Sequence, residues 1–201
     1  MTDSGLLARA ALRRRLLAER ERFAGHPRFG GATESLAQRL ASVLHPLQPQ
    51  CLGLYWPVRG EFNAPAVWRD DAVLATVPAA LPFARLAGRQ MHYRRWDGSA
   101  PCVVDECGIP TSDGEAVVPD VALVPCVGFT VGGLRLGYGG GYCDRWVDAH
   151  RHVVTVGVAW SCGRIDTARF SAEPHDRKLG FVVTECEVIC LGEGSRPLGL
   201  R

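Results

Sequence analysis

Val121–Trp146 reads VALVPCVGFTVGGLRLGYGGGYCDRW, and the change of character along it decides the fold. Val121–Pro125 is a short apolar run of the kind that forms a strand buried on both faces of a sheet. Gly132–Arg145 follows, with six glycines, and Asp144–His152 then has helical character with Trp146 and Val147 available for packing. A strand, a glycine loop and a helix in that order place any bound anion near a helix N-terminus. Glycine lets a ligand approach the backbone closely, Arg135 and Arg145 bracket the loop with positive charge, and Asp144 adds a carboxylate suited to Mg²⁺ beside phosphate. On composition alone a surface turn between two strands fits as well as an anion cradle. The order of the elements favours the cradle.

On either side of this stretch, Cys51–Trp56, Val73–Val77, Gln90–Trp96, Val153–Trp160, Phe181–Thr184 and Val188–Leu191 read as further strands. Pro78 and Pro82 mark a turn, and residues 97–120 a long connection. Helices are expected from Leu6 to Phe23, from a Thr33 cap to Leu44 with Pro46 and Pro49 as its stop, and from Pro65 onward. Strands alternating with helices predict an α/β protein: a single three-layer α/β/α domain over residues 1–201 with a mainly parallel central sheet and an antiparallel edge.

A chain of 201 residues with 47% hydrophobic content can bury a sizeable core, and its net charge of +2 is too small to attract nucleic acid through a global field. Anion selectivity must therefore be local. Arg9, Arg13, Arg14, Arg15 and Arg20 interrupt the first helix before a signal core or membrane span could form. Taken alone, they read as a solvated face supported by pairs such as Arg15–Glu19. Eight cysteines with no CxxC spacing give no zinc or redox signature, so buried free thiols in a reducing cytoplasm are expected.

The glycine loop lacks the Lys-Ser/Thr ending of Walker A, and Tyr142 stands where the dinucleotide pattern needs its third glycine. Glu61 lies in a loop beyond a strand, where it could accept hydrogen bonds from a polar heterocycle or simply start a helix. Glu173-Pro174-His175-Asp176, followed by Arg177 and Lys178, offers a carboxylate and cations, or a capped turn. His175 has no partners at triad spacing.

Taken together, the Arg-rich first helix, YWPVRGE at Tyr55–Glu61, VPCVGF at Val124–Phe129, RLGYGGGYCDRW at Arg135–Trp146, PHD at Pro174–Asp176 and VVTE at Val182–Glu185 resemble the 5-formyltetrahydrofolate cyclo-ligase family. The resemblance runs in order along nearly the whole chain. It implies ATP- and Mg²⁺-dependent conversion of 5-formyltetrahydrofolate to 5,10-methenyltetrahydrofolate with release of ADP and phosphate. By that resemblance Arg9 and Arg13 meet ATP phosphates, and Arg135, Leu136, Gly137, Tyr138, Gly139, Gly140, Gly141, Tyr142 and Cys143 wrap the nucleotide. Asp144 and Asp176 match magnesium positions, Trp56, Glu61, Tyr138 and Tyr142 the folate side, and Arg135 and Tyr142 the catalytic groups. A reduced folate is then the partner, with no nucleic acid or membrane, and the protein a monomer or weak homodimer.

The chain departs from the family pattern at several points. Thr130 stands for an Asp, Cys143 for a Tyr, Gly163 for a common Gln, Gly180 for an acidic residue, and Phe62-Asn63 for an acidic–Thr pair. A diverged nucleotide- or folate-binding paralogue without ligase activity is the alternative, and an RNA-binding protein with a basic helix a third.

Overall fold

The computed structural model describes residues 3–167, 170 and 177–191, with side chains from residue 8 onward. In chain order the helices are α1 (Asp3–Ala24), α2 (Phe29–Leu47), α3 (Ala64–Asp70) and α4 (Tyr142–Ala149). The strands are β1 (Leu52–Gly53), β2 (Ala79–Arg85), β3 (Gln90–Trp96), β4 (Val103–Val104), β5 (Pro110–Thr111), β6 (Ala116–Val117), β7 (Val121–Pro125), β8 (Gly128–Phe129), β9 (Arg135–Leu136), β10 (Val154–Val158), β11 (Phe181–Val183) and β12 (Val188–Cys190).

Among the described residues, eight strands form one sheet in the order β12-β11-β10-β7-β1-β2-β3-β6. The centre, from β11 to β2, is parallel, and both flanks turn antiparallel. This is the mainly parallel α/β sheet expected, with two antiparallel edges rather than one. Alternation along the strands sets the layers. Val121, Leu123, Val156 and Val158 face a cluster that includes Leu36, Leu40, Val43 and Leu44 of α2 and Trp68 of α3. Ala122 and Ala80 face the other way, toward Trp146 of α4. Leu16 and Leu17 of α1 join Val127, Leu136, Ile165 and Phe170 in a separate cluster beyond the carboxyl end of β7. No described helix is long and apolar enough to cross a membrane.

Three local expectations are corrected. Val73–Val77 is not a strand: the Asp71 carboxylate accepts from the N–H groups of Val73 and Leu74, both at 3.0 Å, and curls the chain into a 3-10 turn at Leu74–Thr76. The strand is instead β2, which contains Pro82. Leu52 and Leu54 donate to the carbonyls of Pro78 and Ala80, so Pro82 faces the same flank, past the last β1–β2 pair at Gly53, where its missing N–H breaks no ladder.

The second helix begins at Phe29 rather than at Thr33, whose hydroxyl bonds back to the Phe29 carbonyl at 2.9 Å. Packing of the Phe29 ring on Phe23 and Trp160 holds the helical start through Gly30 and Gly31 despite their low propensity. Pro46 lies within its last turn, and the stop is Gln48, in the left-handed region at φ 46°. The thiols also differ from expectation. All eight cysteines are free, yet Cys102, Cys107, Cys186 and Cys190 are exposed and only Cys51 and Cys126 fully buried.

Candidate active site

The glycine loop starts as the second strand of a hairpin. β8 and β9 pair antiparallel, Gly128 with Leu136 and Phe129 with Arg135. Thr130 closes their turn: its hydroxyl accepts from Leu134 N–H at 3.2 Å and its backbone N–H donates to the Leu134 carbonyl at 2.9 Å. The hairpin carries Arg135 inward to 7% exposure, where its Nη2 donates to Asp144 Oδ1 at 2.7 Å. Asp144 lies in the first turn of α4, whose partial positive charge also favours a carboxylate.

Gly141 caps that helix at φ 66°, and a Cβ on it would stand 2.7 Å from Arg145 Nη1. Glycine is therefore needed there both for conformation and for space. Arg145 staples the loop in place: Nη2 donates to the Gly140 carbonyl and to the Arg89 carbonyl, each at 2.8 Å, joining the loop to the β2–β3 turn. The neighbouring Cys107 thiol, with some burial, raises the pKa of the Tyr142 hydroxyl. Leu136 turns its side chain into an apolar cluster, so it can offer a ligand only its backbone, and Cys143 packs partly against another. Burial pushes the Cys143 thiol up.

The first helix lies against this loop. Arg13 Nε donates to the Gly137 carbonyl at 2.6 Å, and its guanidinium carbon lies 3.2 Å from where a Cβ on Gly139 would stand. Arg9 places its guanidinium 4.7 Å over the Phe170 ring. Arg14 and Arg15 are exposed, with Arg15 paired to Glu19 at 3.6 Å. The arginines thus divide: some form the solvated face expected of them taken alone, while Arg9 and Arg13 sit half-buried, Arg13 on the loop and Arg9 over Phe170.

Glu61 and Tyr138 meet in a second centre beside the loop. Tyr138 donates to Glu61 Oε1 at 2.7 Å, and Val58 N–H donates to Oε2 at 2.9 Å. Glu61 closes a tight turn in which Arg59 and Gly60 both have positive φ, 51° and 74°, with Glu61 N–H donating to the Val58 carbonyl at 3.0 Å. It does not start α3; that role falls to Asn63, whose side chain accepts from Ala66 N–H at 3.2 Å. Burial raises the Glu61 carboxyl above its usual range, and the hydrogen bonds of Tyr138 and Val58 and the charge of Arg20 oppose it.

Trp56 faces elsewhere. It packs edge-on to Trp96 and lines a cleft of about 240 Å³ with Asn63, Arg69 and Ser99. The structure therefore brings Arg13, Gly137–Gly141, Arg135, Asp144, Tyr138 and Glu61 together, and sets Trp56 in a neighbouring cleft off the same loop. The Pro174-His175-Asp176 segment lies outside the described residues. Arg20, read in the sequence only as an interrupting charge, is 3% exposed and reaches both Glu61 and Tyr138. Its position two turns after Arg13, across Leu16 and Leu17, was the available signal.

Beside the glycine loop a metal would find Asp144, which also pairs with Arg135, while Glu61 is taken up by Tyr138 and Val58; no cluster of three His, Cys, Asp or Glu is present among the described residues. That donor set fits Mg²⁺, which is commonly held by one or two carboxylates together with phosphate oxygens and water.

Residues 7–185 match the 5-formyltetrahydrofolate cyclo-ligase family. A 5-formyltetrahydrofolate cyclo-ligase of Haemophilus influenzae is 25% identical over 147 residues, spanning 67% of this chain and 76% of that protein. One of Mycoplasma pneumoniae is 36% identical over 67 residues, 33% of this chain and 39% of that protein. The solved structure of a 5,10-methenyltetrahydrofolate synthetase from Aquifex aeolicus superposes with a TM-score of 0.72 at 28% identity, covering 92% of this chain and 94% of that one. Another, from Mycoplasma pneumoniae, shares the fold with a TM-score of 0.68 at 22% identity over 88% and 98% of the two chains.

Proposed function

Since the chain belongs to the 5-formyltetrahydrofolate cyclo-ligase family, its reaction is the closure of 5-formyltetrahydrofolate to 5,10-methenyltetrahydrofolate, and we propose how its residues divide that work. ATP drives the closure. The formyl oxygen takes the γ-phosphoryl group, a new P–O bond forming as the bond to ADP breaks. N10 of the folate then bonds to the formyl carbon, the C–O bond breaks, and phosphate leaves as N10 loses its proton.

Such a sequence needs positioning and charge neutralisation more than a protein nucleophile. Arg9 and Arg13 receive phosphate oxygens, and the backbone from Arg135 to Cys143 wraps the nucleotide. Arg135 steadies the charge on the transferred group. Mg²⁺, held by Asp144 with Asp176, would neutralise charge on the phosphate oxygens. Glu61 accepts donors of the pterin ring, with Tyr138 and Tyr142 on the folate side and Trp56 reached only where the ligand extends into the neighbouring cleft. The observation that carries this division is the seating of Arg13 on the Gly137 carbonyl at 2.6 Å, which lays a cation of α1 along the glycine loop.

The test is direct. Purified protein given 5-formyltetrahydrofolate should develop the methenyl absorbance only when Mg-ATP is present. Asp144→Asn should lower that turnover by about 100-fold or more, the scale of losing a key electrostatic contact, with the fold retained by circular dichroism. ATP binding without turnover would instead make this a nucleotide-binding paralogue. Unchanged turnover and Mg-ATP affinity in folded Asp144→Asn would remove Asp144 from the metal site.

A further inference from the structure

Arg20 follows Arg13 by two helical turns, so it lies on the same stripe of α1, about 10 Å further along the axis. It is 3% exposed, and each part of its guanidinium is engaged. Nε donates to the Arg59 carbonyl at 3.0 Å, Nη2 donates to the Tyr138 hydroxyl, and Nη1 lies 3.7 Å from Glu61 Oε1. The Tyr138 hydroxyl, accepting from Arg20, donates to that same Glu61 oxygen at 2.7 Å.

The Glu61 side chain is only 4% exposed. A carboxylate so enclosed favours its neutral form unless a cation and donors oppose burial, and a neutral acid accepts donors poorly. The groups that act on Glu61 or are acted on by it are Tyr138, Tyr55, Cys126, the Val58 amide and Arg20, and the cation among them is Arg20. Tyr138 is held between Gly137 and Gly139, the latter at φ 95°, which gives this one residue of the loop backbone freedom to move away.

We propose that Arg20 is a positioning residue for folate capture: it is the counter-charge that keeps Glu61 ionised and aimed, and it seats the Tyr138 hydroxyl on Glu61 as a stand-in for a donor of the incoming ring. Substrate then displaces the Tyr138 bond, while Arg20 keeps the carboxylate charged as water leaves. This rests on Glu61 being the acceptor of the pterin donors. It also gives α1 two duties, phosphate at Arg13 and folate at Arg20.

Steady-state kinetics of Arg20→Met, Arg20→Lys and Glu61→Gln, with both substrates varied, tests it. Arg20→Met should raise KM for 5-formyltetrahydrofolate by about 30-fold or more and leave KM for ATP within about twofold, as expected for loss of one partner of a buried pair. The acid limb of kcat/KM for the folate should move to higher pH. Arg20→Lys, which keeps the charge but cannot reach Tyr138 and Glu61 together, should raise the folate KM by only about 3- to 10-fold, with the acid limb near that of the unaltered protein. If Arg20→Met does not fold, the lysine variant carries the test alone.

Equal rises of both KM values in the Arg20 variants would mean general loosening and overturn the proposal. So would an unchanged folate KM in them while Glu61→Gln raises it. An unchanged folate KM in Glu61→Gln would remove the pterin reading of Glu61 and this proposal with it.

Discussion

Thr130 and Gly163 are two of the departures from the expected family pattern, an Asp and a Gln, and both residues have local reasons in the structure. The Thr130 hydroxyl accepts from Leu134 N–H at 3.2 Å, the service an aspartate gives in such a turn. Gly163 backs onto β8, and a Cβ there would lie 2.9 Å from the Val127 carbonyl oxygen. Gly163→Gln should therefore cost about 1–3 kcal/mol, the range for forcing atoms into a packed site, read by urea denaturation. A cost near zero would show that the backbone yields. At this scale the sequence exposed candidate cations and carboxylates but not their pairings. Arg135 and Asp144 stood out as separate candidates, yet their mutual ion pair at 2.7 Å depends on how the hairpin enters α4. For Arg20 the sequence offered only its helical spacing from Arg13, because its partners Arg59 and Tyr138 lie 39 and 118 residues further along the chain.

At the scale of elements, the expected strands Gln90–Trp96 and Val121–Pro125 coincide with β3 and β7 to the residue, and Val153–Trp160 and Phe181–Thr184 contain the shorter β10 and β11. Where one side chain redirects the backbone, the reading failed. Asp71 is the clearest case, converting a β-branched stretch into a 3-10 turn while also lying 3.0 Å from His45 Nε2. Its carboxyl is held below the usual range, first by the Leu74 N–H and then, against some burial, by His45 and the Val73 N–H. A lowered folded-state pKa means that the stabilisation is present above the ordinary aspartate value, about pH 4, and is lost as pH falls through the lower folded value. Asp71→Ala should thus cost about 1 kcal/mol near neutrality, as for loss of a cap, and progressively less in acid. A penalty independent of pH would assign the effect to packing. Pro82 taught the converse lesson: proline is compatible with β2 because its neighbour strand has already ended, a fact of register that a single strand does not display.

For the whole molecule, the α/β class and the parallel centre of the sheet followed from the alternation of runs, while the antiparallel β6 flank did not, since β6 is only two residues long within a polar connection. The distribution of thiols was equally hidden, because burial of a cysteine depends on the layers around it. Under native conditions a thiol reagent should modify Cys102, Cys107, Cys186 and Cys190 quickly and reach Cys51 and Cys126 only after unfolding. Cys126, whose pKa burial pushes up to about 12, should be among the slowest. Rapid loss of seven or more thiols from folded protein would contradict the packing described, since Cys143 and Cys162 are partly exposed. The seating of α1 has a further consequence, for the order of synthesis. Arg13 precedes its Gly137 partner by 124 residues and Arg20 precedes Tyr138 by 118. At roughly 5–20 residues per second on the ribosome, the helix waits about 6 to 25 s for the loop it braces. Through that interval Leu16 and Leu17 are without Val127, Leu136, Ile165 and Phe170, so the amino-terminal helix of the nascent chain is a ready target for chaperones.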